Sequence, residues 1–218
     1  MAHGSPRAGA GGDIPSETAR VRDFYQRTAA HYDRLVRLPE RLLFAGGRAW
    51  AASHASGEVL EMAIGTGQNL PYYSSRVRVT GQDISSAMLD HARHRAHELG
   101  HRVRLVVSDA QTLPFVANRF DTVVMTLALC TVPDDRQALA EAWRVLRRNG
   151  RLILLEHVRS ARPMVRGIQR ALAPLFERAA GDHLLREPLD HLGGLGFAVD
   201  LVERSRSGVM ERVIARKA

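Results

Sequence analysis

Cysteine and lysine are nearly absent from this chain of 218 residues, and aromatic side chains are scarce at 6%. The single cysteine, Cys130, cannot close an intramolecular disulfide, which excludes a disulfide-stapled fold. No apolar run approaches the roughly 20 residues that a membrane-spanning helix needs, and the first residues lack the apolar core of a secretory signal. A reducing, cytoplasmic setting is therefore expected. So few aromatics leave little for stacking bases, and no nucleic-acid-binding module is recognisable, so no nucleic-acid partner is expected.

What the chain does have is 45% hydrophobic and 25% charged residues, the balance of a globular protein, in a length that suits one domain. The 31 basic residues, all arginine except Lys217, exceed the acids by eight. Residues 1–15 are small, Gly-rich and without apolar period, so they are expected to be a disordered leader before a single domain over 16–218. Ser16 is placed to cap a helix over Glu17–Ala30 that carries Val21, Phe24, Tyr25 and Thr28 at helical spacing, followed by His31, Tyr32 and Asp33. A second helix is expected to open at Pro39 and run to Trp50, weakened by Gly46 and Gly47.

From Glu58 onward, short apolar runs alternate with amphipathic stretches. Val59–Ile64, Val77–Thr80, Val103–Val107, Thr122–Leu127 and Leu152–Leu155 are predicted as five buried strands. Between the second and third, Ser85 caps a helix with Met88, Leu89, Ala92, Ala96 and Leu99 on one face, stopped by Gly100. Between the fourth and fifth, Asp134 caps a helix that buries Leu139, Trp143 and Leu146 and ends at Asn149-Gly150. Such alternation implies βαβ units and a parallel sheet covered on both faces. Residues 161–180 then read as a helix with Met164, Val165, Ile168, Leu172, Leu175 and Phe176 on one side and Arg162, Arg166 and Arg170 on the other. Strands over Phe197–Val202 and Val209–Ala215 close the chain as a hairpin.

Three signals fall at the ends of successive strands. Glu61-Met-Ala-Ile-Gly65-Thr-Gly67-Gln-Asn69 ends the first, where glycines let the backbone turn sharply and approach a ligand. A dinucleotide fingerprint would need glycine at position 70, which is Leu70. Asp83 ends the second strand, where a carboxylate can accept both hydroxyls of a ribose; its plainer alternative is an acid at a helix N-terminus. Asp109, after the third strand, can accept from an exocyclic amine or serve only as a turn residue.

The succession of that loop, Val79-Thr-Gly-Gln-Asp83-Ile-Ser-Ser-Ala-Met88-Leu, Ser108-Asp109-Ala110-Gln-Thr-Leu113-Pro-Phe115 and Trp143-Arg-Val-Leu-Arg-Arg-Asn-Gly150-Arg-Leu152 resembles the class I S-adenosylmethionine-dependent methyltransferases. Leu127-Ala-Leu-Cys130-Thr-Val-Pro133, Leu155-Glu156-His157-Val158 and Gly181-Asp182-His183-Leu184 are similar to the alkyl-thiol methyltransferase subgroup, with phospholipid and quinone methyltransferases as more distant relatives. Ala63 stands where the family usually has its first glycine, and Arg148-Asn149 where Pro-Gly is usual.

The resemblance implies a Rossmann-like α/β fold, with a seven-stranded, mostly parallel sheet, helices on both faces and a C-terminal antiparallel hairpin. It implies S-adenosyl-L-methionine as cofactor and S-adenosyl-L-homocysteine as product. Glu61, Ala63, Gly65, Gly67, Gln68 and Asn69 would hold the methionine part, and Asp83 the ribose, with Ile84 and Met88 flanking the adenine. Asp109 and Ala110 would read the adenine amine, and Thr126 and Leu127, in a segment reaching Leu129, would floor the sulfonium. Residues 16–56, with Phe24, Tyr25 and Tyr32, would form a lid, and 159–185 a substrate cover.

Transfer from such a donor is an in-line displacement that needs alignment in a dry site, and a base only if the acceptor carries a proton. The candidate catalytic residues are His157, at the end of the fifth strand, His183 beside Asp182, and Tyr32 through its hydroxyl or ring. The plainer alternatives are a strand-end hydrogen bond for His157 and a helix cap for Asp182-His183. Cys130 reads as a small apolar filler. His91, His94, His97 and His101 stand on a solvent face without carboxylate or thiolate companions, so no metal is expected. The expected partner is a small lipophilic acceptor, a thiol first; the alternative is a lipid or quinone headgroup met by peripheral contact with a membrane. Eight arginines and one acid lie between Arg144 and Arg170, so seven of the eight excess positive charges fall there. Arg144, Arg147 and Arg148 are expected in a helix's last turns, where its dipole favours cations, and Arg159, Arg162, Arg166 and Arg170 as a rim near the acceptor entrance.

Overall fold

The computed structural model describes residues 16–43 and 46–218, so the expected leader over 1–15 lies outside the described residues. Strands β1 (Glu58–Met62), β2 (Arg78–Asp83), β3 (Val103–Val107), β4 (Phe120–Thr126), β5 (Leu146–His157), β6 (Phe197–Arg204) and β7 (Met210–Lys217) make one sheet in the order β3-β2-β1-β4-β5-β7-β6. The first five are parallel, and β7 joins antiparallel to β5 and to β6 as the closing hairpin. This is the expected Rossmann-like arrangement. The strand order reverses at β1 and β4, so the crevice beyond their C-terminal ends is the natural ligand site.

Because neighbouring strand residues point to opposite faces, the sheet separates two cores. Val123 and Met125 of β4 join Ala138, Leu139 and Ala142 of α4 (Asp135–Val145) and Leu192 of α6 (Leu189–Leu192). Val124, between them, joins Ala51 and Ala52 of α2 (Gly47–Ser53) and Leu89 and Ala96 of α3 (Ser86–Glu98). The caps act as their sequence suggests: Ser85 Oγ accepts from Met88 N at 3.2 Å, and Asp134 Oδ1 from Gln137 N at 2.8 Å.

Four local expectations are corrected. Helix α1 runs from Glu17 through Leu43 without a break, and Pro39 lies inside its last turns rather than opening a second helix. There the missing N–H forfeits one bond close to the helix end, and α2 begins only after Gly46, which takes a left-handed conformation. Leu99, expected on the buried face of α3, is its exposed C-cap. Helix α4 stops at Val145, and Leu146 already pairs with Phe120 as the start of β5. Asn149, at a φ of 61°, makes the bend that the usual Pro-Gly pair would make. Consequently Arg147 and Arg148 lie beyond the helix, and Arg147 bonds Asp121 at 2.5 Å at the start of β4, the end of the sheet away from the crevice. Among the described residues, no helix is long and apolar enough to cross a membrane.

Candidate active site

The C-terminal ends of β1, β2 and β4 and the loop after β3 open into one cleft. Glu61, Ala63, Gly65, Gln68, Asp83, Ile84, Met88, Asp109, Ala110, Thr126 and Leu127 line it, and Tyr25 and Tyr32 of α1 cover it. Gly65, at a φ of 57°, has open space where a side chain would stand, as a surface meeting a ligand requires. Gly67 and Asn69 are brought near but not onto the wall. A Cβ on Gly67 would come within 2.7 Å of Leu70, so this glycine serves the packing of the loop on α3. Asn69 is fully buried and donates to Glu61 Oε1 at 2.8 Å and to Thr126 Oγ1 at 3.0 Å, so it orients two residues that face the cleft. Ala63 takes a φ of 52°, a left-handed conformation that explains why glycine is usual at this position.

Two carboxylates here are costly to ionise. Burial pushes Glu61 up to about 7, against the pull of the buried Tyr73 hydroxyl beside it, of Arg48 and of Asn69; among the described residues no donor meets its Oε2 in good hydrogen-bond geometry. Burial likewise raises Asp83 to about 6, although Gly65 N and Ser85 N each donate to it at 2.9 Å. A carboxylate on the cleft wall that burial still makes costly to ionise suits a ligand that brings a cation. Burial also lifts the hydroxyls of Tyr25 and Tyr32 above the usual phenol value, so both stay neutral near pH 7.

Helix α1 is latched over the cleft by contacts that the sequence did not reveal. Asp33 accepts from Thr66 Oγ1 at 2.6 Å and Gln68 Nε2 at 2.9 Å and pairs with Arg95 of α3. Gln26 accepts from Ser85 Oγ at 2.9 Å and Ala87 N at 3.2 Å, at the start of α3. Arg48 of α2 also reaches the cleft, paired with Glu40 and donating to Asn69 Oδ1 at 3.1 Å. The Tyr32-Asp33 pair was the only hint of the latch; nothing in the glycine-flanked start of α2 marked Arg48.

The profile of the methyltransferase-domain family matches residues 60–154, which span this crevice from β1 to β5. A phosphatidylethanolamine N-methyltransferase of Cereibacter sphaeroides is 37% identical over 141 residues, covering 62% of this chain and 69% of that protein. The chain belongs to the class I S-adenosylmethionine-dependent methyltransferases. A demethylmenaquinone methyltransferase of Deinococcus radiodurans is 34% identical over 152 residues, 66% of this chain and 63% of that one, so about a third of each relative lies outside the match. A solved S-adenosylmethionine-dependent methyltransferase of Thermotoga maritima, 21% identical, superposes with a TM-score of 0.69 over 90% of this chain and 99% of its own, which shows the fold alone.

In this methyltransferase the candidate catalytic residues separate. Tyr32 faces the cleft; His157 and His183 do not line it. Asp182, expected to orient His183, instead pairs with His157, Nε2 to Oδ1 at 2.9 Å. His183 turns to Glu17, the first residue of α1, at 3.0 Å, and so ties the lid to the end of α5 (Pro163–Ala180). A ligand atom each of Cys130, His157 and Asp182 lies within 4.8 Å of the others, and Tyr25 is near enough to feel the charge of Asp182. Burial disfavours the charged form of His157, but the Asp182 hydrogen bond and the charges of Asp182 and Glu156 outweigh it and raise its pKa above the usual histidine value. The apolar side of α5, expected to wall an acceptor pocket, faces solvent instead.

Proposed function

We propose that this methyltransferase binds S-adenosylmethionine in the cleft of Glu61, Asp83 and Asp109 and methylates a small lipophilic acceptor, a thiol as the first choice. The observation that carries the cofactor assignment is the meeting of three carboxylates from successive strand ends, Glu61, Asp83 and Asp109, on the lining of one cleft. When bound, the cofactor supplies an electrophilic methyl group on a sulfonium. Glu61 answers the ammonium of its methionine part, Asp83 accepts from the ribose hydroxyls, and Asp109 with Ala110 meets the adenine edge. Tyr25 and Tyr32, as neutral rings on a latched helix, keep water from the reacting atoms. Val21, Val132 and Pro133 give the rest of the cleft an apolar wall that favours a lipophilic acceptor.

An S–H acceptor must lose its proton; the base we assign to it is His157, paired with Asp182 and set back from the cleft wall, so that it acts through a relay rather than by direct contact. A base with a raised pKa makes turnover climb with pH through that value. Asp182→Asn removes the charge and weakens the hydrogen bond that raise it, so the climbing limb should move to lower pH; an unmoved limb removes His157 from the proton path. His157→Ala should lower turnover and leave cofactor affinity nearly unchanged, and unaltered turnover makes the residue purely structural.

A second reading, a lipid amine or quinol carbon as acceptor, is favoured by the names of the two relatives and by the solvent-facing apolar side of α5. Thiol, amine and quinol panels with a labelled methyl donor separate the two. Label on thiols alone supports the first reading, and label only on an amine or a quinol supports the second.

A further inference from the structure

The largest apolar surface that the fold leaves unused is the outer side of α5. Met164 is 82% exposed, Leu175 63% and Ile168 57%, with Leu172 and Phe176 beside them, all at the spacing of one helical stripe. The helix is not free to roll this stripe inward. Its buried Gln169 donates to Val158 O at 2.9 Å and to Leu184 O at 3.2 Å and accepts from Ser160 N at 2.8 Å, so turning it would strand three backbone groups. Ala173, one turn on, is the other buried residue of that side.

The same helix carries Arg166, Arg170 and Arg178, with Arg162 at its N-cap and Glu177 as its one acid. Among the described residues, no carboxylate lies within ion-pair distance of these four arginines, whereas Arg159 just before them is bound to Glu187 at 2.6 Å. An apolar stripe on a helix whose remaining surface carries uncompensated arginines has the make-up of a helix lying along a lipid surface with anionic headgroups.

We propose that α5 docks this methyltransferase on an anionic membrane leaflet, its apolar stripe entering the headgroup region and Arg162, Arg166, Arg170 and Arg178 meeting lipid phosphates. Val21 of α1 lies so near Gly181, the C-cap of α5, that a Cβ there would come within 2.6 Å of it, and Val21 lines the cleft, so the end of the docked helix adjoins the cleft. The use of that adjacency rests on the lipophilic-acceptor reading; the docking does not.

The test is co-sedimentation of the full chain with vesicles of phosphatidylcholine alone and of phosphatidylcholine mixed with phosphatidylglycerol, with S-adenosylmethionine affinity measured in parallel. Binding is expected on the anionic vesicles, weakening as salt rises. The variant with Met164→Gln, Ile168→Gln and Leu175→Gln is expected to lose at least about tenfold in partition while its cofactor affinity stays unchanged, because three exposed apolar groups no longer enter the lipid. Equal partition of variant and parent, or no binding to anionic vesicles, overturns the proposal. So does a concentration-dependent dimer that the same variant abolishes, which would make a second copy the occupant. Vesicle binding without cofactor binding would leave the docking standing and defeat the methyl-transfer reading.

Discussion

Glu61, Asp83 and Glu156 are buried carboxyls held high by their surroundings, at about 7, 6 and 7. The ligand assigned to the first two needs them ionised, so binding below these values must first expel protons. Cofactor affinity is therefore expected to fall as pH drops from 8 to 6, and binding near pH 6.5 to release protons, read by calorimetry in buffers of different ionisation enthalpy. A pH-independent affinity contradicts the assignment. Glu156 acts on the backbone instead. Its Oε1 accepts from Ala128 N at 3.0 Å and Leu129 N at 3.2 Å, fixing the loop that carries Cys130. Glu156→Gln keeps that acceptor without the buried charge, so at pH 8 the variant should melt above the parent. Of the residues named from the sequence, the strand-end acids were legible as crevice residues because the apolar runs that lead to them mark the strands. Asn69, Arg48 and the true partner of Asp182 were not, since each is defined by a neighbour distant in sequence.

At the scale of elements, the alternation of apolar runs and capped helices disclosed β1, β2, β4, α3 and α4, because burial on both faces and helix caps are local signals; Val103–Val107 does form β3, but at the sheet edge, half-buried or exposed rather than buried as its apolar run suggested. The bend in β5 at Asn149 and the passage of α1 through Pro39 were not legible; both depend on what the sheet and α3 offer those segments. The lid is the element whose function is most exposed to test. Burial opposes the ionised form of Asp33, but bonds from Thr66, Gln68 and Arg95 outweigh it and hold its carboxyl below the usual range, so the latch persists in mild acid. Asp33→Ala removes all three bonds while leaving the strand-end acids in place. Cofactor dissociation should quicken by roughly tenfold, the scale of one or two charge-assisted hydrogen bonds, with the melting temperature little changed; an unaltered off-rate means that the lid does not gate the cofactor.

For the molecule as a whole, the excess charge proves divided. Arg144 is absorbed by Glu141 at 2.7 Å, Arg147 by Asp121 at the far end of the sheet and Arg159 by Glu187, which leaves Arg148 and Arg151 on β5 and the arginines of α5 as the uncompensated part of the basic stretch. The expected rim thus narrows to one helix. Stability follows the buried acids. Since Glu61, Asp83 and Glu156 titrate higher in the folded chain than in the unfolded one, they favour folding most below the ordinary carboxyl range and lose that contribution as pH rises to about 7. The melting temperature of the ligand-free protein should therefore decline over that interval, and saturating S-adenosylmethionine should restore more of it at pH 8 than at pH 5.

Whether the strand-end cleft holds S-adenosylmethionine through Asp83 is decided most directly by calorimetric titration of the parent and of Asp83→Ala. A single site is expected in the parent and a loss of at least about tenfold in the variant, the cost of two hydroxyl hydrogen bonds to a buried carboxylate. No binding by the parent, or equal affinity in the two proteins, would contradict it.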